Sequence, residues 1–409
     1  MTPDYDLSPG AMKKVVHAAV NNGSFRQAEE NLLALGEMKV SCQRIRRSAK
    51  QIGKERIADR DDEIDRWKQL PLPTQRTSPS GIAPSLACVQ PDGGRMQVRD
   101  RRQPKKSSSA GKTRKGRFWR ETKVGCLLTM TSETHDEDPC PKIPRTFIDP
   151  ARIDEIAREI KGFWGEVEEE DDENEDSLRV ETESQRPERP KPLVKSVVAT
   201  RQDADAFGLQ LAAAAYQRGF AAADRKAYVA DGQACNWTIW RKRFSHYTPI
   251  LDFVHAICYL YSAAMGDGEI KENWDRYCRW AQWLWEGNVT RVINDLEARQ
   301  LIVGIPDAGE EGTPRQRINE TLGYLRNQKT RMKYASYRCQ GLPITSCYIE
   351  STIKQVNRRV KGTEKFWSTA AEEVLQLTAD HISETTRAET FWKNRPTKIS
   401  GMRSYQLTA

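Results

Sequence analysis

The sequence has no long apolar run, no paired-cysteine motif and few histidines, and each lack excludes something. Its most apolar stretch, Leu251 to Met265, is interrupted by Asp252 and His255 and is too short and too polar to span a bilayer. The start, MTPDYDLSPG, lacks a basic stretch followed by an apolar run, so no secretory signal is expected. Nine cysteines are scattered without a CxxC pair, which points to reduced thiols in a cytoplasm and argues against a disulfide frame or a zinc ribbon. Five histidines are too few for a His-rich metal site. The lack of HExxH argues against a zinc hydrolase and the lack of GxSxG against a serine hydrolase. Gly111-Lys112-Thr113 lacks the upstream glycine that a phosphate loop needs. No internal repeat is visible.

What is present fits a folded chain of two to three domains: 409 residues, 38% hydrophobic and 30% charged. The net charge is +8. Residues 166–176, EVEEEDDENED, hold nine acids and no base, so the remainder carries +17, nine more than the total of +8. A surplus of that size favours a polyanionic partner, or simply solubility. The acidic block cannot bury itself and reads as a disordered loop within an insert at about 165–190. The alternative is a DNA mimic that occupies a basic groove until nucleic acid displaces it.

Residues 1–70 read as a helical, helix-turn-helix-like region. Ser8-Pro9 starts the first helix and Asn21-Asn22-Gly23 ends it. Ser24 with Gln27 makes a capping box for the second, which Gly36 closes. Ser41 caps a third, QRIRRSAKQI, whose Arg44, Arg46 and Arg47 are candidate DNA contacts. A small bundle with a solvated basic face is the plainer alternative. Residues 54–70 continue as a charged helix, and 71–84, rich in Pro, Ser and Thr, form a linker.

Strand-like stretches follow: LACVQ from Leu86, MQVR (96–99) and WRETKVGCLLTM (119–130), with a Lys/Arg/Ser/Gly loop at 100–117 and a helix from Pro150 to Trp164. From Lys191, strands and helices alternate: PLVKSVVAT, a helix from Asp203 to Phe220, KAYVADG (226–232), the helix NWTIWRKRF, and TPILDF (248–253). The class is therefore α/β (α+β), with the first part of the core at 85–253. Residues 254–340 form an all-helical insertion in which Trp274, Trp280, Trp283 and Trp285 are spaced for a core. Residues 341–370 complete the core with a final helix from about Ser346 to Val360, and 371–409 form a C-terminal tail.

Three acids stand out by position. Asp92 follows LACVQ and precedes Gly93-Gly94, Asp231 follows YVA and precedes Gly232, and Glu350 lies in the first turn of the last helix. Asp-Gly after a buried strand presents a carboxylate at a sheet edge with an open approach, although each pair alone reads as an ordinary turn. Two strand-borne acids and one helix-borne acid can together bind a pair of divalent ions. Mg²⁺ prefers hard oxygen donors, and clustered carboxylates repel one another without it. On the last helix Ile349, Ile353, Val356 and Val360 make an apolar stripe, and Glu350, Lys354, Arg358 and Lys361 make an adjacent one. The second stripe offers an acid and then cations that suit a DNA backbone; ordinary i,i+4 ion pairing has the same spacing.

The stretches PDGGRMQVRD, GRFWRETKVGCLLTM, VADGQACNWTIWRKRF, PILDFVHAICYLYSAA and GLPITSCYIESTIKQVNRRVKGTEKFW together resemble bacterial insertion-sequence transposases of the ISKra type, across roughly residues 85–370. The resemblance implies a ribonuclease-H-like core of the DDE class, with an all-helical insertion before the third acid. It implies a catalytic triad of Asp92, Asp231 and Glu350 holding two Mg²⁺ ions, with Mn²⁺ as a substitute. It places Asp252 and His255 near the site, His255 bonding a phosphate or orienting DNA; a satisfied histidine at a helix start is the plainer reading. Lys354, Arg358, Arg359 and Lys361 would contact phosphates.

The activity so implied is cleavage of double-stranded DNA at element ends and strand transfer into target DNA, by a homodimer or larger assembly, in the cytoplasm at the nucleoid. Two other readings stand beside it. One is an inactive or domesticated relative that only binds DNA; the other is a structure-specific nuclease on the same core. The stretches 100–117 and 131–190 separate the first acid widely from later strands, so the pairing order there stays open.

Overall fold

The computed structural model describes residues 7–99, 117–161, 189–266, 270–361, 367 and 370–398. The basic loop at 100–116, the end of the expected helix beyond residue 161 and the acidic run at 166–176 lie outside them. In chain order the elements are α1 (Pro9–Asn21), α2 (Phe25–Gly36), α3 (Cys42–Gln69), α4 (Leu72–Gln75), β1 (Leu86–Arg99), β2 (Arg117–Thr131), α5 (Pro150–Lys161), β3 (Lys191–Thr200), α6 (Ala204–Gln217), β4 (Arg225–Ala230), α7 (Ala234–Arg243), β5 (Thr248–Leu251), α8 (Phe253–Ala264), α9 (Ile270–Trp285), α10 (Val289–Val303), α11 (Pro314–Gln328), α12 (Tyr334–Cys339), α13 (Cys347–Val360), α14 (Ala371–Ile382) and α15 (Arg387–Lys398). The protein is a mixed α/β fold with a five-stranded sheet in the order β3-β2-β1-β4-β5. No helix among the described residues is long and apolar enough to cross a membrane. The chain divides into two compact units, one of Met1–Thr129, Pro192–Asp224 and Cys347–Ala409, the other of Met130–Lys191 and Arg225–Ser346.

In the first unit the expected caps form. Ser8 Oγ accepts from Ala11 N at 3.2 Å, Ser24 Oγ from Gln27 N at 3.1 Å and Ser41 Oγ from Arg44 N at 3.4 Å. Gly36 is the last residue of α2, but the left-handed position is Glu37, with φ 52°, and Met38 N closes the helix on Leu32 O at 2.9 Å. The third helix and its expected charged continuation at 54–70 form one helix of 28 residues, and glycine stands at 53, where a Cβ would lie 2.5 Å from Glu373 Cβ. Glycine lets α14 cross α3 at close range. Residues 371–398, expected as a tail, thus form α14 and α15, and Leu377 and Phe391 complete a core with Val15, Ala19, Ile45 and Ile52 of α1 and α3.

The α3–α14 seam is sealed by charge as well as by apolar contact. Arg56, fully buried, donates from Nε to Asp380 Oδ2 and from Nη1 to Asp59 Oδ2, each at 2.8 Å. Burial opposes the charge, but Asp380 and the neighbouring acids outweigh it and raise Arg56 above its usual range.

The stretches LACVQ and MQVR are one strand. β1 continues through Pro91-Asp92-Gly93-Gly94, so Asp92 lies within the strand and not at its end. The glycines serve a close approach here: a Cβ at Gly94 would lie 2.8 Å from Thr122 Oγ1 on β2. Gly125 serves α6 in the same way, since a Cβ there would collide with Leu211.

In the second unit β4 and β5 are parallel, with Ala230 paired to Leu251. α8 to α12 surround an aromatic cluster in which Phe253 meets Phe147, Trp285 and Tyr334 edge to face at 5.1, 5.0 and 5.0 Å. Trp280 and Trp285 are buried as their spacing predicts, whereas Trp274 and Trp283 are half-buried. Arg291 lies over the Trp283 ring at 4.0 Å.

Candidate functional site

Because Ala230 and Leu251 pair, the next residue of each strand leaves the sheet at the same level. Those residues are Asp231 and Asp252. Asp231 is half-buried. Its Oδ1 accepts from Gln233 N at 3.1 Å and from Asn236 Nδ2, one turn into α7, at 2.9 Å. Gly232 has φ 101°, a conformation that suits glycine, and a Cβ there would lie 2.8 Å from the Tyr324 ring. The helical insertion grips the turn's backbone. Tyr324 Oη donates to Asp231 O at 2.8 Å, and Gln328 Nε2 donates to Gly232 O at 3.2 Å. Tyr259 of α8 stacks on Tyr324 at 3.7 Å, and burial above all pushes the Tyr324 hydroxyl well above its usual pKa, so it stays a donor.

Asp252 is fully buried. Oδ2 caps α8 by accepting from His255 N at 2.8 Å and lies 2.7 Å from His255 Nδ1; Oδ1 accepts from Ser346 N at 2.7 Å. The carboxylate orients the imidazole through the short contact between Asp252 Oδ2 and His255 Nδ1. His255 is the helix-start histidine of the plainer reading, with its ring held by Asp252. Ser346 is the last residue of the second unit.

In the first unit, Asp92 and Glu350 are both half-buried. Asp92 Oδ1 accepts from Gly93 N at 2.5 Å. Two residues before it, buried Gln90 accepts at Oε1 from Ile349 N at 3.2 Å. That amide is one of the helix-start donors that need an outside partner. The first turn of α13, with Glu350, is therefore clipped to β1 beside Asp92.

The expected stripe on α13 is turned slightly. Ile349, Val356 and Val360 are buried, but Thr352 is buried with them and Ile353 is only half-buried. Lys354 and Arg358 are exposed and Lys361 half-buried. Arg359 is the exception to the expected cationic set. It is 3% exposed and turned into the first unit, where Nε donates to Ala19 O at 2.7 Å, so it does not lie on a DNA-facing surface. Arg46 and Arg47 of α3 are exposed and Arg44 is half-buried.

The residues that bond these acids or their chain neighbours, Asn236, Tyr324, Gln328, Gln90 and Ser346, carry no motif. The one signal is that Gln90 ends an otherwise apolar run. No protein-family model matches the chain, and no curated protein is significantly similar to it.

Proposed function

We propose that the chain is a DNA transposase that cuts double-stranded DNA at element ends and joins the freed ends to target DNA, on a ribonuclease-H-like core. Asp92, Asp231 and Glu350 would hold two Mg²⁺ ions, or Mn²⁺ in their place. The observation that carries the reading is the placement of the acids. They lie on the first strand, directly after the fourth strand, and on a helix that follows an all-helical insertion. The fit with a hard cation is chemical. The candidate donors are carboxylate oxygens, and Asp231 Oδ1 accepts from two N–H groups. Bound ions would neutralise the phosphodiester and raise the nucleophilicity of water.

The chain's own residues have distinct tasks in this reading. Asp252 fixes the ring of His255, which would orient DNA at the site. Lys354, Arg358 and Lys361 neutralise backbone phosphates, a contribution that weakens as salt rises. Arg44, Arg46 and Arg47 contact the element end. The protein acts in the cytoplasm at the nucleoid, as a homodimer or larger assembly on paired ends.

The test is a labelled duplex carrying an element end, incubated with the full chain and Mg²⁺ or Mn²⁺. Cleavage and strand-transfer products are expected, and Glu350→Gln abolishes both. Cleavage by Glu350→Gln at the wild-type rate overturns the triad. Cleavage without joining identifies a nuclease, and salt-sensitive binding without nicks identifies a DNA-binding relative.

A further inference from the structure

α13 is held at both ends, and the two holds differ in kind. At its start Gln90 clips Ile349 to β1. At its end stands Arg359, a buried guanidinium with no acid partner among the described residues. Nε donates to Ala19 O in the last turn of α1, and one terminal nitrogen, Nη2, is buried with no partner among the described residues. The guanidinium lies over the Phe25 ring at 4.5 Å and the Trp367 ring at 5.1 Å. Trp367 is itself pinned, donating Nε1 to Val360 O at 2.8 Å and N to Gln97 O on β1 at 3.1 Å. Burial alone lowers Arg359, to about 10.

A cation in such a place is an odd choice for packing. Buried arginines are favoured where a carboxylate meets them, and an apolar side chain of similar length would fill the slot without an orphaned nitrogen. What the guanidinium does that Met or Leu could not is bond the exposed carbonyl end of α1 while stacking on the first residue of α2. α1 has no basic residue of its own in its last turn. Arg359 thus grips the α1–α2 junction, and Glu350 lies nine residues earlier on the same rigid helix.

We propose that Arg359 is a positioning residue that ties the α1–α2 turn to the placement of Glu350, so that the N-terminal helices set the geometry of the acid site through α13. The proposal rests on the reading of Glu350 as a metal ligand. It gives the N-terminal helices a role in the reaction beyond holding DNA.

The experiment is Mn²⁺ titration of the full chain, followed by electron paramagnetic resonance, in the wild type, Glu350→Gln, Arg359→Met, Arg359→Lys and the double variant Glu350→Gln/Arg359→Met. Arg359→Met is expected to weaken Mn²⁺ binding about tenfold, as supporting residues around a metal commonly do. Arg359→Lys, which can still donate to Ala19 O, recovers part of that loss, and Arg359→Met adds nothing once Glu350 is gone. A purely structural role would lower the melting temperature but leave the affinity of the folded protein unchanged. If Glu350→Gln binds Mn²⁺ as the wild type does, the metal reading itself falls. If Glu350→Gln weakens binding while Arg359→Met does not, or if the two losses multiply in the double variant, the coupling falls alone. Should Arg359→Met not fold, Phe25→Leu loosens the same stack and keeps the charge; unchanged Mn²⁺ affinity in that variant overturns the coupling, and a loss that vanishes in Glu350→Gln supports it.

Discussion

The ends of β4 and β5 carry one aspartate each at the same register, yet they are built for different purposes. Asp252 is fully buried, and its two oxygens are occupied by His255 and by the amide of Ser346. Asp231 is half-buried, takes both of its donors on Oδ1, and has its main chain clamped by Tyr324 and Gln328. One carboxylate organises protein; the other is organised by protein. Burial and the distribution of hydrogen bonds over the two oxygens tell them apart, although sequence presents both as an acid after a short apolar strand.

The largest effect that sharpens this contrast is on catalysis. Asp231→Asn keeps the shape of the side chain and is expected to cut the rate of DNA cleavage on the order of a thousandfold or more. Its stability should stay within about 1 kcal/mol of the wild type, since Asn still accepts at Oδ1. Single-turnover cleavage and urea denaturation read the two quantities. Asp252→Ala should do the reverse in kind: it strands two backbone amides and the His255 ring, and should cost about 3 kcal/mol of folding free energy in the same denaturation experiment. If Asp252→Ala folds with wild-type stability, the division of labour between the two strand ends is wrong.

A smaller effect probes the clamp. Tyr324→Phe removes one hydroxyl that bonds Asp231 O and should cost about 1 kcal/mol of stability. It should slow cleavage about tenfold with little change in DNA affinity. A wild-type cleavage rate would show that the insertion does not hold the acid in place.

The smallest effect lies away from both acids, at a histidine of the first unit. His381 of α14 packs edge-on against His17 of α1 at 4.9 Å, and its Nε2 lies 3.2 Å from Asn21 Oδ1. Burial, and then His17, hold His381 below the usual histidine range. The unfolded chain, with a histidine pKa of about 6.5, therefore binds the proton more readily than the folded chain. Stability is full above that value and falls as pH drops through it. Chemical denaturation at a series of pH values should show the slope in the wild type and a shallower one in His381→Gln.

Much of this was legible locally. The serine caps, the strands around Asp231 and Asp252, and the Asp231-Gly232 turn follow from residues adjacent in sequence, because capping and turn chemistry are local. What escaped the sequence depends on distant partners. The strand runs on through Asp92, with Gly94 set close against Thr122 of β2, and Gly53 lies against Glu373 of α14, a helix in the stretch that sequence read as a tail. The clamp on Asp231 comes from residues 93 and 96 positions away. Arg359 looked like a member of a basic surface because spacing reports a helix face but not what packs against it; Ala19 and Phe25, which hold it, are more than three hundred positions earlier.

The central claim is that carboxylates at Asp92, Asp231 and Glu350 act with a divalent ion on DNA. It is tested most directly by measuring Mg²⁺- or Mn²⁺-dependent nicking of an end-labelled duplex by the purified full chain and by Asp231→Asn. The account predicts nicks that require the ion and vanish in the variant. Nicks that persist in Asp231→Asn at the wild-type rate, or that form equally well in a chelator, contradict it.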